Sequence, residues 1–144
     1  MKKYLYLTKT DTTIGFVSQE SLKIDIAKKR LPNKHYIRVV NSQKSLKSFT
    51  RVPTKYKNSV RRSKKTTFIM PNGNSFRIVK NSKHNLLLDR IKWSFSSSAN
   101  LSGEEYNEYY AKQVAEVIIY EPNTIDSNAS KIYKLGIKKI KKIR

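Results

Sequence analysis

The chain has 144 residues, 38% of them hydrophobic, with 31 lysines and arginines against 10 aspartates and glutamates, a formal net charge of +21. That length suits one domain with a substantial core, and that charge favours phosphate-rich partners, nucleic acid ahead of an anionic membrane or a merely solvated surface. With no cysteine, disulfides, thiolate zinc sites and cysteine nucleophiles are excluded. His35 and His84 are too far apart in sequence to suggest a metal site. No apolar run approaches the ~20 residues of a membrane span. The basic start, "MKKYLYLTKTD", has an apolar patch too short for a secretion signal, so a cytoplasmic protein is expected.

In chain order, "KYLYLT" from Lys3 to Thr8 mixes aromatic and aliphatic residues and predicts a strand. "KTDTTIGF" reads as a hydroxyl-rich turn. Ser18 is placed to cap a helix that has Gln19 and Glu20 in its first turn. "QESLKIDIAKKR" then puts Leu22 and Ile26 four apart, with Ala27 beside them, on one helical face. The cationic run Lys28 to Arg30 suits the end of that helix, and Pro32 limits its extension. "HYIRVV" predicts a strand, "SQKSLKSF" a short helix, and Pro53 opens another helix over "PTKYKNSVRRS". "TTFIM" and "SFRIV" flank "PNGN" and predict a β-hairpin. "SKHNLLLDRIKW" predicts a helix with Leu86, Leu87 and Ile91 on a shared face. "WSFSS" is a strand, "EEYNEYYAKQV" a helix and "AEVIIYE" a strand. At the end, Ile137, Ile140 and Ile143 recur every third residue as a helical stripe would, whereas Gly136 and the alternation in "KIYKL" equally fit two short strands. Interleaved strands and helices predict a single α/β domain over residues 1–144 with a mixed sheet and a basic segment from about 136.

Three stretches carry chemistry, although each alone is also an ordinary surface feature. "SSSANLSG" lies between a strand and a helix, where open α/β sheets bind ligands. Its small side chains let backbone N–H groups approach a phosphate, Ser and Asn add donors, and the following helix would offer its positive N-terminus. "KKRLPNK" gathers Lys28, Arg30 and Lys34 past a helix end, pairing a planar guanidinium fork with mobile ammonium groups. "TKTDTTIGF" sets Thr10, Thr12 and Thr13 at a strand end, with Gly15 permitting a close approach and Asp11 capping the turn or receiving an ammonium.

The order of these pieces resembles the YrdC-like family, the threonylcarbamoyl-AMP synthases of tRNA modification. "KTDTTIGF" is similar to the family's Pro-Thr-Asp/Glu-Thr-x-Tyr-Gly-Leu, and "KKRLP" to Lys-x-Arg-Pro, putting Lys28 and Arg30 in that motif. "YIRVVNSQKSL" fits the strand that comes next, "SKKTTFIM" looks like Pro-Gly-Pro-x-Thr with Thr67 in the Thr position, and Arg77 matches an Arg on the next strand. "SSSANLSG", Ser96 to Gly103, matches Ser-Thr-Ser-Ala-Asn-x-Ser-Gly most closely, and "ASKIYK" around Ser130 faintly echoes Pro-Ser-Thr-x-x-Asp. The likeness runs from about Lys3 to Tyr133, with departures at Lys9, Ile14, Ser63 to Lys65 and Lys134.

The resemblance implies an open, twisted mixed sheet with flanking helices and a concave, cationic face. It implies that threonine and bicarbonate form a carbamate whose oxygen attacks the α-phosphorus of ATP, releasing pyrophosphate, by positioning and charge stabilisation without a protein nucleophile. It assigns Lys28 and Arg30 to catalysis and to ATP, together with Thr67, Ser98 and Asn100, and assigns Thr12, Ser96 and Arg77 to threonine. Magnesium would travel with ATP rather than in a protein metal site. tRNA and a downstream threonylcarbamoyl-transfer complex are the implied partners. A non-catalytic RNA-binding module on the same fold, with its basic face unlocated, is the alternative.

Overall fold

The computed structural model describes residues 3–32, 35–80, 82–119, 130–137 and 139–144. Among them nine strands form one mixed sheet: β1 (Tyr6–Lys9), β2 (Ile14–Ser18), β3 (Ile37–Val40), β4 (Thr66–Ile69), β5 (Ser75–Ile78), β6 (Trp93–Ser98), β7 (Val117–Ile118), β8 (Lys131–Leu135) and β9 (Ile140–Lys142). Their spatial order is β7-β1-β2-β6-β3-β5-β4-β8-β9. The β1–β7, β3–β5 and β4–β8 pairs are parallel and the others antiparallel. The helices are α1 (Ser21–Lys28), α2 (Gln43–Leu46), α3 (Lys57–Arg62) after a 3-10 turn at Thr54–Tyr56, α4 (Ser82–Ile91) and α5 (Glu108–Val114). This is the expected α/β architecture with a mixed sheet and flanking helices. None of the described helices is long and apolar enough to cross a membrane.

The period of two along each strand decides what faces where. Phe76 and Ile78 of β5, Phe68 of β4 and Leu135 of β8 join Leu46, Tyr56 and Val60 from the α2–α3 side in one buried cluster. Arg77 and Thr67, the residues between or beside those core positions, therefore face the other side of the sheet. A second cluster packs Ile24, Ala27 and Ala111 from α1 and α5 against Leu7 and Phe16. Leu88 of α4 covers Val39 and Val79 in a third. Full burial of each such large side chain contributes about 1.5–3 kcal/mol.

The hairpin around Asn72-Gly73 forms as expected, with Phe68 opposite Phe76 and Gly73 at φ 87°. Ser42 caps α2 by accepting from the Ser45 amide at 3.2 Å. The ambiguous C-terminal stretch resolves as two antiparallel strands, β8 and β9, and not as a helix.

Several local expectations are corrected. Ile14–Ser18 is a strand and not the tail of a turn, because it finds partners on both sides, β1 and β6. Ser18 does not cap α1; its hydroxyl accepts from the Glu20 amide at 3.1 Å, ahead of the helix. Leu22 and Ile26 are exposed, and the inward face of α1 is Ile24, Asp25, Ala27 and Lys28. In α4, Leu86 is exposed while His84 and Leu88, four apart, are buried. In α1 the expected apolar pair is exposed, whereas in α4 only Leu86 is and Ile91 packs against the third cluster as expected; polar residues occupy part of each buried stripe. The strand expected over "AEVIIYE" is Val117–Ile118 among the described residues, with Tyr120 and Glu121 outside them.

Candidate functional site

A cleft of about 320 Å³ opens where the turn between β1 and β2, the end of α1, the start of β3 and the end of β6 come together. Of the residues singled out in the sequence, Thr12, Arg30, Arg77, Ser96 and Ser98 line it, with Thr10 and Thr13 beside them. The Lys-x-Arg segment and the serine bend, remote in sequence, thus meet at one hollow. Lys28, Thr67 and Asn100 stand behind its wall, and Lys34 lies outside the described residues.

Lys28 shows how the wall is held. Its side chain is buried, and its Nζ donates to the carbonyl oxygens of Ser98 and Asn100, both at 2.8 Å, and to Asn100 Oδ1 at 3.3 Å. The Ser102 amide returns a bond to the Lys28 carbonyl at 3.2 Å. Burial, assisted by the neighbouring Arg30 charge, lowers the Lys28 ammonium from 10.5 to about 8. The lysine is a clamp on the bend, with its donors already committed to the chain.

Asn100 completes the bend from within. Its Nδ2 donates to the carbonyls of Leu101 at 3.0 Å and Glu104 at 2.7 Å, and the Ser98 hydroxyl donates to its Oδ1. Gly103 takes φ 79°, a left-handed conformation in which a side chain would be strained. The bend does not run into a helix, since α5 begins only at Glu108, capped by Asn107. The expected contribution of a helix N-terminus at this bend is therefore absent.

Arg30 is oriented from two sides. Its guanidinium lies 5.5 Å from the centre of the Tyr36 ring, and its Nε donates to Ser102 Oγ at 3.4 Å. Tyr36 is itself fixed, its hydroxyl donating to Asp25 Oδ1 of α1 at 2.5 Å. Burial, then that hydrogen bond, pushes the Tyr36 phenol up to about 12, so it remains a donor at neutral pH.

The threonine turn presents Arg77. Thr10 Oγ1 donates to the Thr13 carbonyl at 2.6 Å and accepts from the Thr12 amide at 3.2 Å, while Arg77 Nη1 donates to Thr12 Oγ1 at 3.3 Å. Asp11 Oδ1 is 3.6 Å from Arg77 Nε, with both side chains 4% exposed, so the ion pair is buried and its geometry loose. Among the described residues neither carboxylate oxygen of Asp11 has a hydrogen-bond partner. Burial raises the Asp11 carboxyl, and Arg77 opposes that rise. Burial also works against the Arg77 charge, which Asp11 supports and Arg144 opposes.

The sequence pattern did not point to Tyr36 or Arg144 as cleft residues, and it touched Ser130 only through a faint motif. Arg144 Nε donates to the Ser130 carbonyl at 2.9 Å and its Nη2 to Ser130 Oγ at 3.2 Å. Thr67 Oγ1 lies 3.3 Å from the same Ser130 oxygen, which links Thr67 to the cleft through one intermediary. The signal for Arg144 was the alternation of the last strands, which return the chain to the sheet edge. Tyr36 could be found only through its place immediately before β3.

Among the described residues the lining holds three arginines and a set of hydroxyls, with no acidic residue. Such a surface is matched to a ligand carrying several oxyanions. Among the described residues no group of three or more His, Asp or Glu side chains could hold a metal. Asp11, beside the cleft, faces Arg77.

No protein-family model matches the chain, and no curated protein matches it. Solved structures share its fold. One is the MTH1692 protein from Methanobacterium thermoautotrophicum, at 16% identity and TM-score 0.71, covering 98% of this chain and 79% of that one. Another is a doubly substituted Sua5 from P. abyssi, at 16% identity and TM-score 0.82, covering 98% and 52%. A third is full-length HypF in a phosphate- and nucleotide-bound form, at 15% identity and TM-score 0.77, covering 98% and 26%. The chain spans about half of that Sua5 and about a quarter of that HypF. It has the YrdC-like α/β fold that its motifs resemble.

Proposed function

We propose that the cleft makes L-threonylcarbamoyl adenylate and pyrophosphate from L-threonine, bicarbonate and ATP, the activated intermediate of tRNA threonylcarbamoyladenosine synthesis. The observation that carries this reading is the convergence of Arg30, Arg77 and the Ser96–Ser98 edge on one anion-seeking hollow. HypF, about a quarter of which this chain matches, was solved with phosphate and nucleotide bound, which supports a nucleotide as the ligand to test here. Fold alone does not fix chemistry, so the reading rests on the site.

In this reading the threonine amine and bicarbonate give a carbamate and water. A carbamate oxygen bonds to the α-phosphorus while the bond from that phosphorus to the departing pyrophosphate breaks. Arg30, held by Tyr36 and Ser102, faces the charge that builds on the phosphates. Arg77 offers its guanidinium to the threonine carboxylate, with Thr12 and Ser96 beside it. Ser98 and Asn100 shape the nucleotide wall, Thr67 acts through Ser130, and Lys28 acts by holding the bend.

The test is pyrophosphate release from ATP that depends on both threonine and bicarbonate. Wild type should release it, and Arg30→Ala should reduce that release by about 10²-fold. No threonine-dependent release by wild type overturns the reading. RNA binding in that case would leave the non-catalytic module on this fold.

A further inference from the structure

The cleft uses few of the chain's cations, and the rest are unevenly placed. Between Asp25 and Asp89 the sequence has no acidic residue. That stretch builds the α2–α3 layer, which covers the sheet face opposite the one carrying Arg77. Lys47, Arg51, Lys57, Arg61, Arg62 and Lys64 are all exposed on this layer. A groove of about 570 Å³ opens in it, lined by Lys47, Arg51 and Lys57, by the hydroxyl residues Ser48 and Thr50, and by Phe49 and Val52. Two of the described acidic residues are already engaged in another part of the fold, where Glu116 meets Lys23 at 2.5 Å and Glu108 meets Lys112 at 2.8 Å. The α2–α3 layer itself supplies no carboxylate to neutralise its cations.

We propose that the α2–α3 layer is a docking face for the phosphate backbone of a folded RNA. The surface chemistry separates this partner from others. Large apolar side chains are exposed elsewhere, at Leu22, Ile26, Leu86 and Ile137 among others, but at no described position from Asn41 to Lys65. A bilayer-binding surface needs apolar groups to insert, and a protein interface needs a desolvated apolar or aromatic anchor. This layer has neither. Its aromatics are largely occupied within the protein: Tyr56 is buried, and Phe49, half-buried where it lines the groove, packs on Trp93 with Arg38 against it. A single-strand binder exposes such rings. Cations and hydroxyls without rings suit the phosphates and sugars of a structured RNA, read by shape rather than by sequence.

This inference does not rest on the adenylate-forming reading of the cleft. It is tested with the full chain by filter binding of an unmodified tRNA transcript over a salt series. Wild type should bind with a steep salt dependence, and an unrelated stable RNA hairpin should bind similarly. Replacing Arg61, Arg62 and Lys64 together by Gln should lower the salt slope by about 1 for each phosphate that is no longer neutralised, and weaken both RNAs alike. These three side chains are exposed, and an unchanged circular dichroism spectrum and melting point should show that the variant is folded. Arg30→Ala should bind RNA as wild type does, whatever it does to pyrophosphate release. The proposal is overturned if the triple variant binds RNA with wild-type affinity and slope, if Arg30→Ala alone abolishes binding, or if vesicles rich in anionic lipid are bound more tightly than RNA.

Discussion

The Nζ of Lys28 lies 2.8 Å from the carbonyl oxygen of Asn100, 72 positions further along the chain. With its bonds to Ser98 O and Asn100 Oδ1, this interaction ties the end of α1 to the serine bend and fixes one wall of the cleft. Lys28→Met removes the donor that the part-buried carbonyl oxygens of Ser98 and Asn100 share, at about 1–3 kcal/mol for each group left unsatisfied. The variant should be less stable by about 2–4 kcal/mol in urea unfolding. The difference should also depend on pH. The folded state releases the Lys28 proton near 8, whereas the unfolded chain keeps it to 10.5. Between those values the unfolded state binds more protons, so the wild type gains stability as pH rises. The gap between wild type and Lys28→Met should therefore widen from about pH 8 to about pH 10.

Tyr36 links the buried Asp25 to Arg30, and two substitutions separate its two roles. Tyr36→Phe keeps the ring beneath the guanidinium and removes the hydroxyl from Asp25. It should lower stability by about 1–3 kcal/mol, with little change in pyrophosphate release. Tyr36→Leu removes the ring as well and should cut release by about 2- to 30-fold, the kinetic equivalent of one cation–π interaction. Equal effects of the two variants on release would sink the assignment of the ring to Arg30.

Gly15 has no room for a side chain. A Cβ there would stand 2.8 Å from the Ser97 carbonyl oxygen and 3.1 Å from Thr10 Cγ2. Gly15→Ala should destabilise the protein by about 1–3 kcal/mol through overpacking. It should also shift the amide resonances of Ser97 and Ser98 at the cleft edge more than those of β8.

Leu86 and Leu88 sit two apart on α4, the first 69% exposed and the second fully buried against Val39 and Val79. Leu88→Ala should lower stability by about 2–5 kcal/mol, whereas Leu86→Ala should stay within about 0.5 kcal/mol of wild type. A reversed order would mean that the other face of α4 is packed.

That pair also shows what was legible in the sequence. The α/β class followed from the interleaving of elements, and the hairpin from Asn72-Gly73, because turn chemistry is local. The meeting of Arg30 with the serine bend followed from the order of motifs. The packed face of α1, and the place of Leu86 in α4, were misread because buried polar residues, Asp25, Lys28 and His84, break the apolar stripe. For Asp25 and Lys28, burial depends on partners outside the helix, Tyr36 and the Asn100 carbonyl, that no helical pattern reveals. Arg144 was missed for a related reason: the alternation in "KIYKL" hints at the last strands, but the place of Arg144 beside Ser130 also requires β9 to fold back along β8, a pairing that alternation does not specify.

The sheet order has a temporal consequence. β6 inserts between β2 and β3, and β8 lies beside β4, so neighbours in space are made far apart in time during synthesis. Until Trp93–Ser98 leaves the ribosome, β2 and β3 each keep an open edge where that strand will pair. Such non-local pairing should make refolding slower than that of a helical domain of similar size, and leaves strand edges unpaired for longer while the chain is being made.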